Sequence, residues 1–189
     1  MYLCTPPVFS LVRLEIASNI LQIAEILLGE KKLKLNIIRG ILILMLAGTF
    51  YIIFGFSSQN AEESSGISKK VSETIVEITN KEKPTQEKNT MVKYLEPRIR
   101  KLAHFSIYTV VGFLLMNLCF TYKISINKKI IISLILGFIY ACSDELHQTF
   151  VVGRSGEARD VLIDTSGVFV GICISYAFYR IYRKLKNKE

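Results

Sequence analysis

The sequence predicts an all-α membrane protein: four transmembrane helices in a bundle, with an N-terminal segment whose spacing fits an amphipathic helix. Three observations carry that fold class. The 189 residues are 50% hydrophobic, and the apolar residues come in long runs rather than scattered core positions. Residues 40–59 hold 20 positions without a charge and residues 105–122 hold 18, and a helix needs roughly 20 mostly apolar residues to cross about 30 Å of hydrocarbon. The lysines and arginines gather at the ends of the apolar runs, so the net charge of +8 reads as anchoring at a membrane surface and not as a nucleic-acid signal.

Residues 1–36 form the N-terminal segment. Phe9, Val12, Ile16, Ile20, Ile23 and Leu27 recur at three- and four-residue spacing, as in a helix lying on the membrane surface; a translated upstream extension with no role is the lesser alternative. A basic n-region and a small-residue cleavage site are both missing, so no secretory signal is predicted. Lys31, Lys32, Lys34 and Arg39 lead into the first span, 37–56, and favour a cytoplasmic N-terminus. Residues 57–101 read as a polar extracytoplasmic loop, within which Ile67, Val71, Ile75 and Ile78 predict one short amphipathic helix. The second span is 102–120. The third, 130–148, and the fourth, 161–182, contain uncharged stretches of only 14 and 15 residues, so each borrows polar positions to cross. Asp144, Glu145 and His147 extend the end of one, and Asp160 and Asp164 the start of the other. If both cross, these polar ends share one side of the membrane. The lysine-only turn with Lys123, Lys128 and Lys129 and the basic tail, 183–189, put the N and C termini in the cytoplasm and the polar ends outside. Cys4, Cys119, Cys142 and Cys173 lack a CxxC spacing and read as small buried hydrophobes.

Four polar clusters would then meet on the outer face: Ser57 to Asn60, Arg98 to Tyr108, Ser143 to Gln148, and Gly153 to Asp164. Ionisable groups in or beside hydrocarbon are costly and mark functional sites. Arg100, His104 and Tyr108 follow one another at four-residue spacing and share a helix face. The basic group Arg98, Arg100 and Lys101 lies on the side where basic residues are disfavoured; a lipid phosphate or pyrophosphate would offset that, as would pairing with Asp144, Glu145 or Asp160. Asp144, His147 and Gln148 share a face, which suits His147 or His104 as a general acid or base oriented by Asp144, or a braced helix end. No metal and no cofactor are predicted. The chain has two histidines, no HxxxH or HExxH, and no thiol beside them, so an ion would be a hard one on carboxylates. Two glycines allow a tight loop that turns Arg154 and Arg159 toward Asp144 or Glu145. Asp160 suits a helix N-terminus, and Gly167 with Gly171 forms a small-residue surface for close helix packing.

These motifs, taken in order, resemble the VanZ-like family of bacterial membrane proteins, named for the teicoplanin-resistance protein VanZ. The resemblance rests on Ser57, Ser58 and Gln59, on Arg100, Lys101, Ala103, His104 and Phe105, on Asp144, Glu145, His147, Gln148 and Phe150, and on Gly153, Arg154 and Asp160. It spans about residues 37–182. Val152 stands where a proline is frequent in the family, and Asp164 where an asparagine is common. The resemblance implies a protein of the bacterial cell membrane that lowers susceptibility to a lipoglycopeptide antibiotic. Its ligand residues would be Ser58, Gln59, Arg100, Lys101, His104, Asp144, Glu145, His147, Gln148, Arg154, Asp160 and Asp164. The implied partners are membrane lipids and a lipid-linked wall precursor or the antibiotic, with no nucleic acid. A membrane-embedded hydrolase or transferase on a lipid phosphate, using His104, Asp144 and His147, is the rival.

Overall fold

The computed structural model describes residues 8–187, with side chains described at all of these except 8–26 and 61–65. Its five helices are α1 Val8–Ser57, α2 Ala61–Thr79, α3 Thr85–Phe120, α4 Ile126–Gln148 and α5 Ala158–Lys186, and no strand occurs among the described residues. Four helical stretches are long and apolar enough to cross a membrane: Leu27–Ser57, Thr85–Phe120, Ile126–Gln148 and Ala158–Lys186. The chain is a multi-pass membrane protein. It divides into two compact units, Met1–Ile41 and Leu42–Glu189.

In the first unit, the described apolar residues Leu27, Leu28, Leu33, Ile37, Ile38 and Ile41 are exposed. The sequence separates residues 1–36 from the first span, whereas α1 is continuous through both. No proline interrupts residues 8–57, and the lysine, leucine and glutamate of the junction are strong helix formers. The amphipathic pattern at Phe9, Val12, Ile16, Ile20 and Ile23 lies outside the described side chains, as does Cys4.

The second unit is organised around α3 and α5, its most extensively packed pair. Lipid is as apolar as leucine, so helices associate in a membrane through close packing of small residues rather than through apolar burial. A Cβ on Gly167 would lie 2.4 Å from the Phe105 carbonyl oxygen, and one on Gly171 would lie 2.0 Å from that of Thr109. The small-residue surface of α5 thus sits directly on the α3 backbone. Gly112 answers from α3, where a Cβ would lie 2.0 Å from the Val168 carbonyl oxygen, and Gly137 of α4 leaves room for the Val168 side chain. Below these contacts Asn117 Nδ2 donates to Ser175 Oγ at 3.0 Å, joining the two helices by a polar link. Tyr108, Val111, Leu114, Leu115, Met116, Ala141, Val168 and Ile172 fill the core with Leu46 and Ile53 of α1. Tyr140 of α4 stacks on Phe50, ring centroids 3.9 Å apart, and its hydroxyl donates to the Phe50 carbonyl.

Two regions differ from the sequence reading. The span expected at 102–120 belongs to a helix that begins at Thr85 and runs through Pro97, and the loop expected at 57–101 is helical over most of its length. α2 buries Ser68, Ser72 and Val76 and packs on α3, while Ile67, Val71, Ile75 and Ile78 stay exposed. α2 is the short amphipathic helix expected within that loop, longer than the four apolar positions alone mark out, and packing against α3 stabilises it. Of the cysteines expected to be buried, Cys119 is, Cys142 is half-buried and Cys173 is exposed.

Candidate functional site

The end of α1, the middle of α3, the end of α4 and the start of α5 meet at one level of the second unit. The turn between α4 and α5 makes this geometry. Gly153 takes φ 78°, a left-handed conformation that favours glycine. Gly156 lies so close to α4 that a Cβ would stand 2.7 Å from the Glu145 carbonyl oxygen. The backbone N–H of Glu157, the residue capping α5, donates to Glu145 Oε2 at 3.0 Å. A carboxylate thereby meets an unsatisfied donor at a helix N-terminus, where negative charge is favoured.

Asp144, Glu145 and Gln148 are buried at the end of α4. Gln148 Nε2 donates to Asp144 Oδ2 at 3.3 Å and to Glu145 Oε1 at 3.2 Å, and it reaches Ser57 Oγ of α1 at 3.5 Å. The pairing of Asp144 with His147 expected from sequence does not form. A residue four positions on lies closer in angle around a helix than one three positions on, and Gln148 takes that place. His147 turns to α1, where its ring stacks on Phe54 with centroids 4.6 Å apart and its Nε2 lies 3.2 Å from Ser58 Oγ.

On α3, Lys101 forms ion pairs with Asp160 at 2.5 Å and Glu157 at 3.5 Å, both from α5. Asp160, expected either as a helix cap or as a pairing partner of the basic group on α3, is this ion-pair partner. His104 Nδ1 stands 3.9 Å from Asp164 Oδ2, beyond hydrogen-bond length. Arg154 does not pair with Asp144 or Glu145; its Nη1 donates to the Ser57 carbonyl at 3.3 Å, and its buried Nε has no hydrogen-bond partner. Burial, and next the neighbouring Arg100 charge, lower the Arg154 pKa from its ordinary value, with Asp144 and Glu145 opposing. Arg100 is half-buried and makes no ion pair among the described residues. Arg159 is exposed, as is Arg98, which lies over the Tyr94 ring.

Two cavities flank this arrangement. One, of about 100 Å³, is polar and is lined by Arg100, Lys101, His104, Glu145, Gln148, Arg154, Asp160 and Asp164. The other, of about 220 Å³, is lined by Ile53, Phe56, Gln59, Ile67, Val71, Ile99, Ala103 and Ile107, and again by Arg100 and His104. Arg100 and His104 therefore stand in the wall between a polar and an apolar space. Nine of the twelve residues expected at the site gather in or against the polar cavity, while Ser58 and His147 pair with each other beside it and Gln59 lines the apolar one.

Ser57, which the sequence reading placed in the family motif but left out of the ligand residues, is fully buried and touched by both Gln148 and Arg154. The sequence reading also set no metal aside for His104, Asp144 and Asp164, whose ligand atoms lie within 4.8 Å of one another. They come from three helices, so no local spacing could have shown it.

No curated protein and no solved structure matches the chain. The family model described as VanZ/LLP1 matches residues 42–180, a stretch that contains all four converging helix segments and every residue of both cavities; the chain belongs to the VanZ/LLP1 family.

Proposed function

We propose that this protein acts in the bacterial cell envelope, with both termini cytoplasmic and the polar cavity at the outer face of the membrane. There it binds or masks a lipid-linked wall component, or the lipophilic antibiotic itself, and lowers susceptibility to teicoplanin-type lipoglycopeptides. The observation that carries this reading is the shared wall of the two cavities. Arg100 and Arg154 line the polar cavity and have no ion-pair partner among the described residues, and guanidinium groups recognise phosphate oxygens by bidentate hydrogen bonds. Arg100 also borders the apolar cavity. An amphiphile with an anionic head and a hydrocarbon tail meets both surfaces at once.

The test is lipid that co-purifies with the detergent-solubilised protein, identified by mass spectrometry, together with teicoplanin susceptibility at matched membrane abundance. A polyprenyl phosphate or pyrophosphate is expected on the parent and is depleted in Arg100→Ala, with Arg100→Lys a poor rescue and Lys128→Ala without effect. Only bulk phospholipid on the parent, or parental susceptibility in both arginine variants, counts against the reading.

One observation favours the enzymatic reading: His104 faces Asp164 across 3.9 Å in the wall of the same cavity, a placement suited to proton transfer at a bound lipid phosphate. Phosphate release from a polyprenyl pyrophosphate, abolished in His104→Gln, would distinguish turnover from binding.

A further inference from the structure

We propose that His104, Asp144 and Asp164 form a binding site for a divalent transition-metal cation such as Zn²⁺ or Mn²⁺. The three side chains come from α3, α4 and α5, and one potential ligand atom from each lies within 4.8 Å of the others. Ligands around a tetrahedral ion at about 2.0–2.1 Å stand roughly 3.4 Å apart, so modest side-chain adjustment closes the site.

A cluster of acids is not a site by itself, but Asp164 supplies a separate observation. It is 1% exposed, and neither of its carboxylate oxygens has a hydrogen-bond partner. A buried carboxylate whose oxygens accept no hydrogen bond is strongly disfavoured; His104 stands 3.9 Å away, Arg100 of the same cavity makes no ion pair with it among the described residues, and the other two cations of the cavity are engaged elsewhere. Lys101 is held by Asp160 and Glu157, and Arg154 donates to the Ser57 carbonyl. Gln148 spends its amide on Asp144 and Glu145. One turn deeper on α3, Tyr108 keeps a fully buried hydroxyl that also lacks a partner. A cation between His104 and the two aspartates supplies the missing charge compensation.

The donor set indicates the class of ion. Imidazole suits zinc and its neighbours, and carboxylates extend the range to manganese, whereas calcium takes six to eight oxygens and magnesium an octahedral set rich in water. Three protein ligands leave a position open. The ligands are held rigidly, because α3 and α5 touch backbone to backbone at Gly167 and Gly171, within two turns of Asp164. The inference does not depend on the lipid or antibiotic reading, since it concerns the ion alone.

The test uses the full chain in detergent, stripped with chelator, desalted, and equilibrated with Zn²⁺ or Mn²⁺. Bound metal is counted by mass spectrometry, and the Mn²⁺ form is read by pulsed electron paramagnetic resonance. The parent is expected to retain one ion per chain and to show nitrogen coupling from one imidazole. Asp164→Asn, which keeps the shape of the side chain, and His104→Gln should each weaken binding at least about tenfold while eluting as the parent does in gel filtration. His147→Gln should retain both the ion and the nitrogen signal. No stoichiometric ion on the parent overturns the proposal, as does equal retention in folded Asp164→Asn and His104→Gln. If those variants do not fold, the parent and His147→Gln decide: nitrogen coupling lost with His147 refutes the site, and coupling kept without His147 leaves His104 as the ligand, because the chain has two histidines.

Discussion

Gln148 holds together two carboxylates that would otherwise share a buried helix end without a donor between them. Its amide bridges Asp144 and Glu145 and touches Ser57 of α1. Removing one partner of a buried hydrogen bond exposes the other to its full desolvation penalty. Gln148→Ala is therefore expected to lower stability by about 1–3 kcal/mol, read as a fall in the detergent melting temperature. Gln148→Glu should fall further, because it adds a third acid where like charges already crowd. A second residue-scale prediction concerns His147, whose contacts are Ser58 and Phe54 and not Asp144. In double-mutant cycles, Ser58→Ala with His147→Ala should show a coupling of about 0.5 kcal/mol or more. The cycle of Asp144→Asn with His147→Ala should show a smaller one.

Between elements, the decisive contact is α5 against α3. Gly171→Ala would push a methyl group toward the Thr109 carbonyl, 2.0 Å away, and the Phe113 nitrogen, 2.6 Å away. Both are backbone atoms, so neither can rotate aside and the helices must separate. Overpacking of this kind costs about 1–3 kcal/mol and occasionally more. The melting temperature of Gly171→Ala is expected to drop accordingly, and the displacement should loosen His104 from Asp164 because both lie on the separated pair. Gly48→Ala is the contrast. A Cβ there meets nothing within 4 Å, so the better helix propensity of alanine should leave stability unchanged or raised by up to about 1 kcal/mol. α2 adds a different element-level feature: Ser68, Ser72 and Val76 face inward, and Ile67, Val71, Ile75 and Ile78 form an exposed stripe. An apolar face of this kind on a helix with a polar opposite side suits the boundary of a bilayer.

At the scale of the whole molecule, the ends of α1 and α4, the start of α5 and the middle of α3 bring their polar residues to one level, so a single topology assignment places the entire site. The proposed orientation rests on the lysine-only turn after α3 and on the basic end of α5, where Arg183, Lys184 and Lys186 occupy the last turn. In a cysteine-free background, a cysteine at Asn89 or Ser155 is expected to react with an impermeant thiol reagent added to intact cells. One at Asn127 or Asn187 should react only after lysis. The reverse pattern would move the cavities to the cytoplasmic side and remove the wall-component reading with them.

Much of this architecture was determined by the sequence alone. Long uncharged runs leave helices as the spanning structure compatible with lipid, because backbone groups must be satisfied within each segment, and the spacing of Gly167 and Gly171 marks the packing face of α5. The order of the polar motifs identified the family and marked as ligands eight of the residues that line the polar cavity, but of those that line only the apolar one it marked Gln59 alone. Tertiary structure decided the partnerships. Whether Asp144 meets His147 or Gln148 depends on small differences in angle around α4, and both choices satisfy the same spacing. Lys101 finds Asp160, and His104 approaches Asp164, only because glycines let two helices touch so closely that residues about sixty positions apart share one wall. The short amphipathic helix expected around residues 67–78 is α2, but the length of α3 was hidden for the same reason: a polar stretch with weak helical preference becomes helix when a neighbour covers one of its faces. Periodicity reports which face of a helix is apolar, but the closing of a buried polar cluster depends on contacts between chain segments that no local pattern records.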